Sequence, residues 1–172
     1  MPILVLPMTA THWADVARIY QEGINTGQAT FAIAPPASWD EWCRGKINSC
    51  SLVAHDEDSY NIVGWAALSP VSSRAVYAGV AEVSVYVGTE ARGQGVGSVL
   101  LQELIHRSEL NGIWTLQAGI FPENQASLRL HLKHGFRAVG LREKLGRMEF
   151  GEFKGKWRDV MLLERRSQIV GI

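Results

Sequence analysis

The stretch Glu82-Val83-Ser84-Val85-Tyr86-Val87, followed after Gly88-Thr89-Glu90 by Ala91-Arg92-Gly93-Gln94-Gly95-Val96-Gly97, decides how this chain is read. EVSVYV alternates as a strand does, and three glycines at alternate positions then lead into VLLQELI, whose apolar residues recur at helical spacing. Glycine reaches dihedrals that other residues avoid and lets a ligand approach the main chain closely. A helix N-terminus here, from about Gly93 to Ser98, turns unpaired N–H groups toward an anion, and Arg92 adds charge. The same spacing also suits a tight left-handed turn that holds nothing.

Two well-known phosphate loops do not fit. A Walker loop, G-x-x-x-x-G-K-[ST], needs residues that are absent at the required places. A dinucleotide fingerprint, G-x-G-x-x-G, belongs near a first strand with an acidic residue about 20 positions on. Here the spacing is G-x-G-x-G at mid-chain, and the next strand ends in Ile120-Phe121. What remains is R-x-x-G-x-G between a strand and a helix.

Outward from this centre the chain reads as a mixed α/β or α+β fold. Ile3 to Leu6 is a short strand, and Trp13, Val16, Ala17 and Tyr20 mark a helix to about Glu22. Ser38 and Glu41 have capping-box spacing, predicting a second helix that carries Trp39, Trp42 and Ile47. SLVAHD (51–56) and NIVGWAALSP (61–70) predict a hairpin, and SSRAVYAG links it to the central strand. After the glycine-loop helix, which ends near Asn111-Gly112, come a strand over 113–121 and a helix over 124–134. Two further strands are predicted, Phe136 to Leu141 and Trp157 to Leu163, joined by a polar loop. In that loop Arg142, Lys144, Arg147, Lys154 and Lys156 read as solvated.

The 172 residues suit a single domain over the whole chain. Lys plus Arg and Asp plus Glu balance at 17 each, so no basic excess points to nucleic acid or an anionic membrane. No stretch approaches the roughly 20 apolar residues of a membrane span. Cys43 and Cys50 show neither zinc nor disulfide spacing, which with the N-terminal sequence implies a cytoplasmic protein. His12, His55, His106 and His134 share no spacing, and no metal is expected.

EVSVYV, ARGQGVG, VLLQELI, WTLQAGIF and PENQASLRLHLKHGF together resemble the acetyl-coenzyme A core of the GNAT superfamily of N-acetyltransferases. AEVSVYV, EGINTGQATF and FKGKWRDV resemble its phosphinothricin and methionine sulfoximine acetyltransferase subgroup. The resemblance implies a mostly antiparallel, twisted sheet with helices on both faces and central strands splayed around acetyl-CoA. It implies that the backbone of Val85, Tyr86 and Val87 pairs with the pantetheine arm. Arg92, Gly93, Gln94, Gly95, Val96, Gly97 and Ser98 would then hold the pyrophosphate, with Asn124 and Ser127 as further coenzyme contacts unless they merely cap their helix. Homodimers are common in the subgroup.

Acetyl transfer to an amine needs a proton acceptor, because an amine of pKa near that of lysine, about 10.4, is protonated at neutral pH. Glu82 begins the central strand, and the resemblance places a catalytic glutamate there; a partly buried carboxylate makes a stronger base. A solvated or arginine-paired glutamate is the plainer alternative. His131 falls where many family members carry a tyrosine that protonates the departing thiolate, and an imidazole can do that work. It also suits an ordinary surface position.

A small amino-acid-like acceptor carries a carboxylate, which a guanidinium grips bidentately. Arg74 stands eight residues before Glu82, and by resemblance its loop faces the acceptor. Ser72, Ser73 and Arg74, with Glu82, Val83 and Ser84, are the substrate set, and Phe31 and Tyr77 are candidate apolar walls. Trp157, Arg158 and Asp159 match the subgroup without a role.

The expected activity is acetyl transfer from acetyl-CoA to a small amino-acid-like amine by direct attack, since no cysteine beside the loop could carry an acyl group. Other amines (a protein N-terminus, a polyamine, an antibiotic) and a non-catalytic acyl-CoA sensor are the alternatives.

Overall fold

The computed structural model describes residues 1–172. Seven strands form one sheet: β1 Ile3–Pro7, β2 Ser51–Asp56, β3 Ile62–Pro70, β4 Val80–Val87, β5 Thr115–Ile120, β6 Arg137–Arg147 and β7 Trp157–Arg166. Four α-helices accompany them: α1 Trp13–Asn25, α2 Trp39–Arg44, α3 Val96–Leu110 and α4 Gln125–Lys133. The strand order is β1-β2-β3-β4-β5-β7-β6, and every pairing but β4 with β5 is antiparallel.

Strand alternation sorts the core onto two faces. Leu52, Ala54, Ala66 and Leu68 pack with Leu100, Leu101 and Leu104 of α3. Val53, Trp65 and Ala67, their neighbours in sequence, pack with Val16 and Ile19 of α1 and Trp42 of α2. Trp65 is central there, stacked 4.6 Å from Tyr86 and edge-on 4.9 Å from Trp42. Trp65→Ala should cost about 3–5 kcal/mol of stability, as large core truncations do. Chemical denaturation of W65A against W65F, which keeps a ring in place, checks the attribution to packing.

Ser38 Oγ accepts the Glu41 N–H at 3.2 Å, so α2 starts as predicted, but Glu41 returns its carboxylate to the Ala37 N–H. The helix stops at Gly45, and Ile47 lies beyond it, its N–H bonded to Leu68 O. The predicted polar loop after Leu141 is another correction: β6 continues to Arg147, because its partner β7 extends the ladder back to Trp157. The last strand in sequence thus lies inside the sheet, and β6 forms the edge.

One departure from regular pairing makes the site. β4 and β5 pair only at Val80–Glu82 with Thr115–Gln117. Beyond Glu82, β4 continues against β3 alone and β5 against β7 alone. The strands splay, and the edge of β4 facing β5 loses its strand partner.

Candidate active site

Two cavities meet at the splay. The first, about 480 Å³, runs along the glycine loop; the second, about 360 Å³, lies between β4 and β5. Ala29, Val85, Tyr86, Asn124 and Ser127 line both.

The glycine-loop cleft is built locally. Gly93 and Gly95 have φ of +76° and +85°, a region open to glycine, and Gly95 caps α3. Backbone N–H groups of the five residues from Gly93 to Gly97 have no acceptor in the protein. Such a nest ahead of a helix N-terminus concentrates positive potential and receives phosphate oxygens. Arg92 Nε donates to Val87 O at 3.2 Å, tying the loop to β4. Val87, Arg92, Gly93, Gly95, Val96, Gly97 and Ser98 all line the cleft. Gln94 does not: its amide turns back to Glu90 O at 2.9 Å. Ser98 Oγ lies 2.8 Å from His134 Nε2.

Asn124 caps its helix, the plainer of the two readings offered for it. Its Oδ1 accepts the Ser127 N–H and caps α4, while its Nδ2 donates to Gln28 O at 3.2 Å. Both residues still line the two cavities.

Glu82, Val83 and Ser84 line the second cavity with His131. Glu82 is exposed, against the expectation of a partly buried carboxylate, and Gln117 Nε2 donates to its Oε2 at 3.3 Å. His131 is buried, at 4% exposure, not a surface residue. Its Nδ1 lies 2.8 Å from Ser127 O, and a carbonyl can only accept, so Nδ1 carries the proton. In the neutral ring Nε2 is then an acceptor. Burial is the main cause lowering the imidazole's pKa below 6.5; the Ser127 bond opposes it and His134 adds to it. The resting ring is therefore neutral at pH 7, whereas the expected acid role needs a proton on Nε2.

This has a pH consequence. Between the folded pKa and about 6.5, the unfolded chain binds the extra proton and the folded chain does not. The contribution of His131 is complete above pH 6.5 and is lost as pH falls below it. Denaturation midpoints from pH 8 to 5 should fall less steeply on the acid side for His131→Gln than for the wild type.

Ser72, Ser73 and Arg74 line neither cavity. Pro70 pairs with Ala81, so their loop begins beyond the cavity floor, where Ser73 and Arg74 are exposed and the Arg74 guanidinium lies over Tyr77. The cavity's cations are Lys46 and Arg142, which sequence spacing did not single out. Ile47 holds Lys46 beside β3, and Nζ donates at 3.0 Å to Oγ of Ser69, the residue paired with Glu82. Burial lowers the Lys46 pKa, and the charge of Glu82 opposes this. Arg142 reaches the cavity because β6 is longer than predicted. Thr30 and Phe31 also line this cavity; Tyr77 does not.

Unpaired N–H groups at a helix N-terminus, opening through an unpaired strand edge onto a cavity with a carboxylate and a neutral imidazole, are an arrangement that suits an acyl-group transferase. The sequence matches the Acetyltransferase (GNAT) family over residues 13–136, and the chain belongs to that family as an N-acetyltransferase. It is 34% identical to the L-methionine sulfoximine/L-methionine sulfone acetyltransferase of Pseudomonas aeruginosa, over 87% of this chain and 86% of the relative. It is also 34% identical to the phosphinothricin N-acetyltransferase of Alcaligenes faecalis, over 87% and 75% respectively. Among solved structures, a phosphinothricin acetyltransferase from Sinorhizobium meliloti in complex with acetyl-CoA superposes with a TM-score of 0.85. The match covers 99% of this chain and 91% of that one at 28% identity. No helix is long and apolar enough to cross a membrane.

Proposed function

We propose that this enzyme moves the acetyl group of acetyl-CoA to the α-amine of a small amino-acid-like acceptor of the phosphinothricin or methionine sulfone type. The observation that carries this is the meeting of the two cavities at Val85 and Tyr86: a donor cleft ending in free N–H groups joins a small chamber holding Glu82, Lys46 and Arg142. The pyrophosphate occupies the nest, and the thioester lies at the unpaired edge of β4, where main-chain N–H groups stabilise the oxyanion. Glu82 removes one proton from the ammonium, directly or through water. The free amine attacks the thioester carbonyl, the C–S bond breaks, and the second amine proton passes through Nε2 of His131 to the leaving thiolate. His131 thus accepts before it donates, in keeping with its neutral resting state. Lys46 and Arg142 receive the acceptor's acid groups, in place of the role first assigned to Arg74.

The chain works as a single cytoplasmic domain within a homodimer. In support, Val139 and Leu141 on β6 and Trp157 on β7 are exposed apolar side chains that a second copy would cover. A thioester-consumption screen with acetyl-CoA tests the function against phosphinothricin, methionine sulfone and sulfoximine, common amino acids, polyamines and peptides. Turnover confined to peptides or polyamines would transfer the reading to another amine. No turnover with any amine, alongside tight coenzyme binding, would favour a sensor.

A further inference from the structure

We infer that Arg158, which neither cavity includes, is a positioning residue that locks the loop of residues 26–31, which borders both cavities, onto the rest of the active site. The side chain is 5% exposed and projects from β7 to a junction of four chain segments. Nη1 donates to Gly27 O at 2.9 Å and Nη2 to Gln28 Oε1 at 2.8 Å, while Glu123 Oε2 lies 3.5 Å from Nη2. The guanidinium lies 4.0 Å from the Phe121 ring centroid and 4.3 Å from that of Phe153. The planar fork binds two successive loop residues while its faces rest on the rings.

The loop's own N–H bonds are local, from Thr26 to Gly23 O, Gly27 to Ile24 O and Gln28 to Thr26 Oγ1. Gly27 has φ of +66°, and a Cβ there would lie 2.9 Å from Phe153, so the turn follows one tight path over the arginine's aromatic support. Gln28 O also receives the Asn124 amide. Past this clamp the same loop places Ala29, Thr30 and Phe31 in the acceptor cavity, with Phe31 edge-on to Phe121 at 5.0 Å. Arg158 therefore fixes the wall that faces the acceptor and, through Thr26, Gln28 and Ala29, the side of the glycine-loop cleft opposite the nest, whose glycines are held by β4 and α3.

The inference rests on the acceptor cavity proposed above, so its test has one arm that needs no substrate. Arg158→Met and Arg158→Lys are compared with the wild type by hydrogen exchange, coenzyme A calorimetry and kinetics with phosphinothricin. In Arg158→Met, exchange at Gly27, Gln28 and Ala32 should rise by about tenfold or more, a population shift of about 1.4 kcal/mol, while α3 amides are unchanged. KM for phosphinothricin should rise by a similar factor with kcat within about threefold, and coenzyme A affinity should fall by less than that KM rises, because the loop borders the coenzyme cleft but the nest keeps its own supports. Arg158→Lys, keeping the charge but not the fork, should fall between and supplies the test should the methionine variant not fold. Unchanged exchange in the loop, exchange raised evenly along the chain, or a KM equal to wild type would overturn the assignment. If the wild type does not acetylate phosphinothricin, the proposed function fails on that acceptor and the exchange arm alone decides on Arg158.

Discussion

Glu82→Gln should lower kcat by about 10²–10⁴-fold, the range for loss of a positioned proton acceptor, while acetyl-CoA binds within about threefold of wild type. The two side chains are nearly isosteric, and the glutamine keeps an oxygen for the Gln117 amide now 3.3 Å from Oε2. The nest from Gly93 to Gly97 does not include this position, so the donor half is untouched. Glu82 is exposed, so stability should move by no more than about 0.5 kcal/mol. Single-turnover kinetics with preformed acetyl-CoA complex, read beside calorimetric binding, separate the terms. A variant turning over at the wild-type rate would remove the base assignment. Equal losses in kcat and coenzyme affinity would mean that the strand edge itself had moved.

Gly95→Val is expected to weaken acetyl-CoA binding by about 100-fold or more, equivalent to about 2.7 kcal/mol. At φ of +85° a β-branched residue is strained by about 1–3 kcal/mol, and relief of that strain turns neighbouring N–H groups away from the pyrophosphate. The residue lines the cleft and caps α3, so the new side chain also borders the space the phosphates need. Gly112 provides the control. It has φ of +73° just past the other end of α3, and open space where a Cβ would go. Gly112→Val should carry a similar stability loss with coenzyme affinity unchanged. Equal affinities for the two variants would show that the nest does not hold the pyrophosphate.

The donor half was legible because it is local. EVSVYV, the alternate glycines and the helix after them form one run of sequence, and their backbone geometry follows from neighbours a few residues apart. Of the residues expected to hold the coenzyme, only Gln94 does not line the glycine-loop cleft, because a long amide can satisfy itself on its own loop. The second cavity is gathered differently. Lys46 follows a helix that ends at Gly45, and only the bond from Ile47 to Leu68 brings it beside Ser69 and hence Glu82. Arg142 looked like loop because β6 lacks an alternating pattern, and that pattern is absent because both its faces are exposed.

Arg74 shows the converse. Eight residues before Glu82 it is close in sequence, yet the hairpin carries it past the cavity floor. Likewise the position of His131 was visible, but its tautomer depends on a carbonyl four residues back and its neutrality on burial that tertiary packing creates.

By itself the sequence determined the alternation of faces, the glycine-capped helix and the residue types for acetyl transfer, since each depends on short-range periodicity or dihedral preference. Tertiary structure decided the rest: β7 inside the sheet, the parting of β4 from β5 after Glu82, and the cations that line the second cavity. Strand pairing joins residues far apart in the chain, and the space left where pairing stops belongs to no single segment.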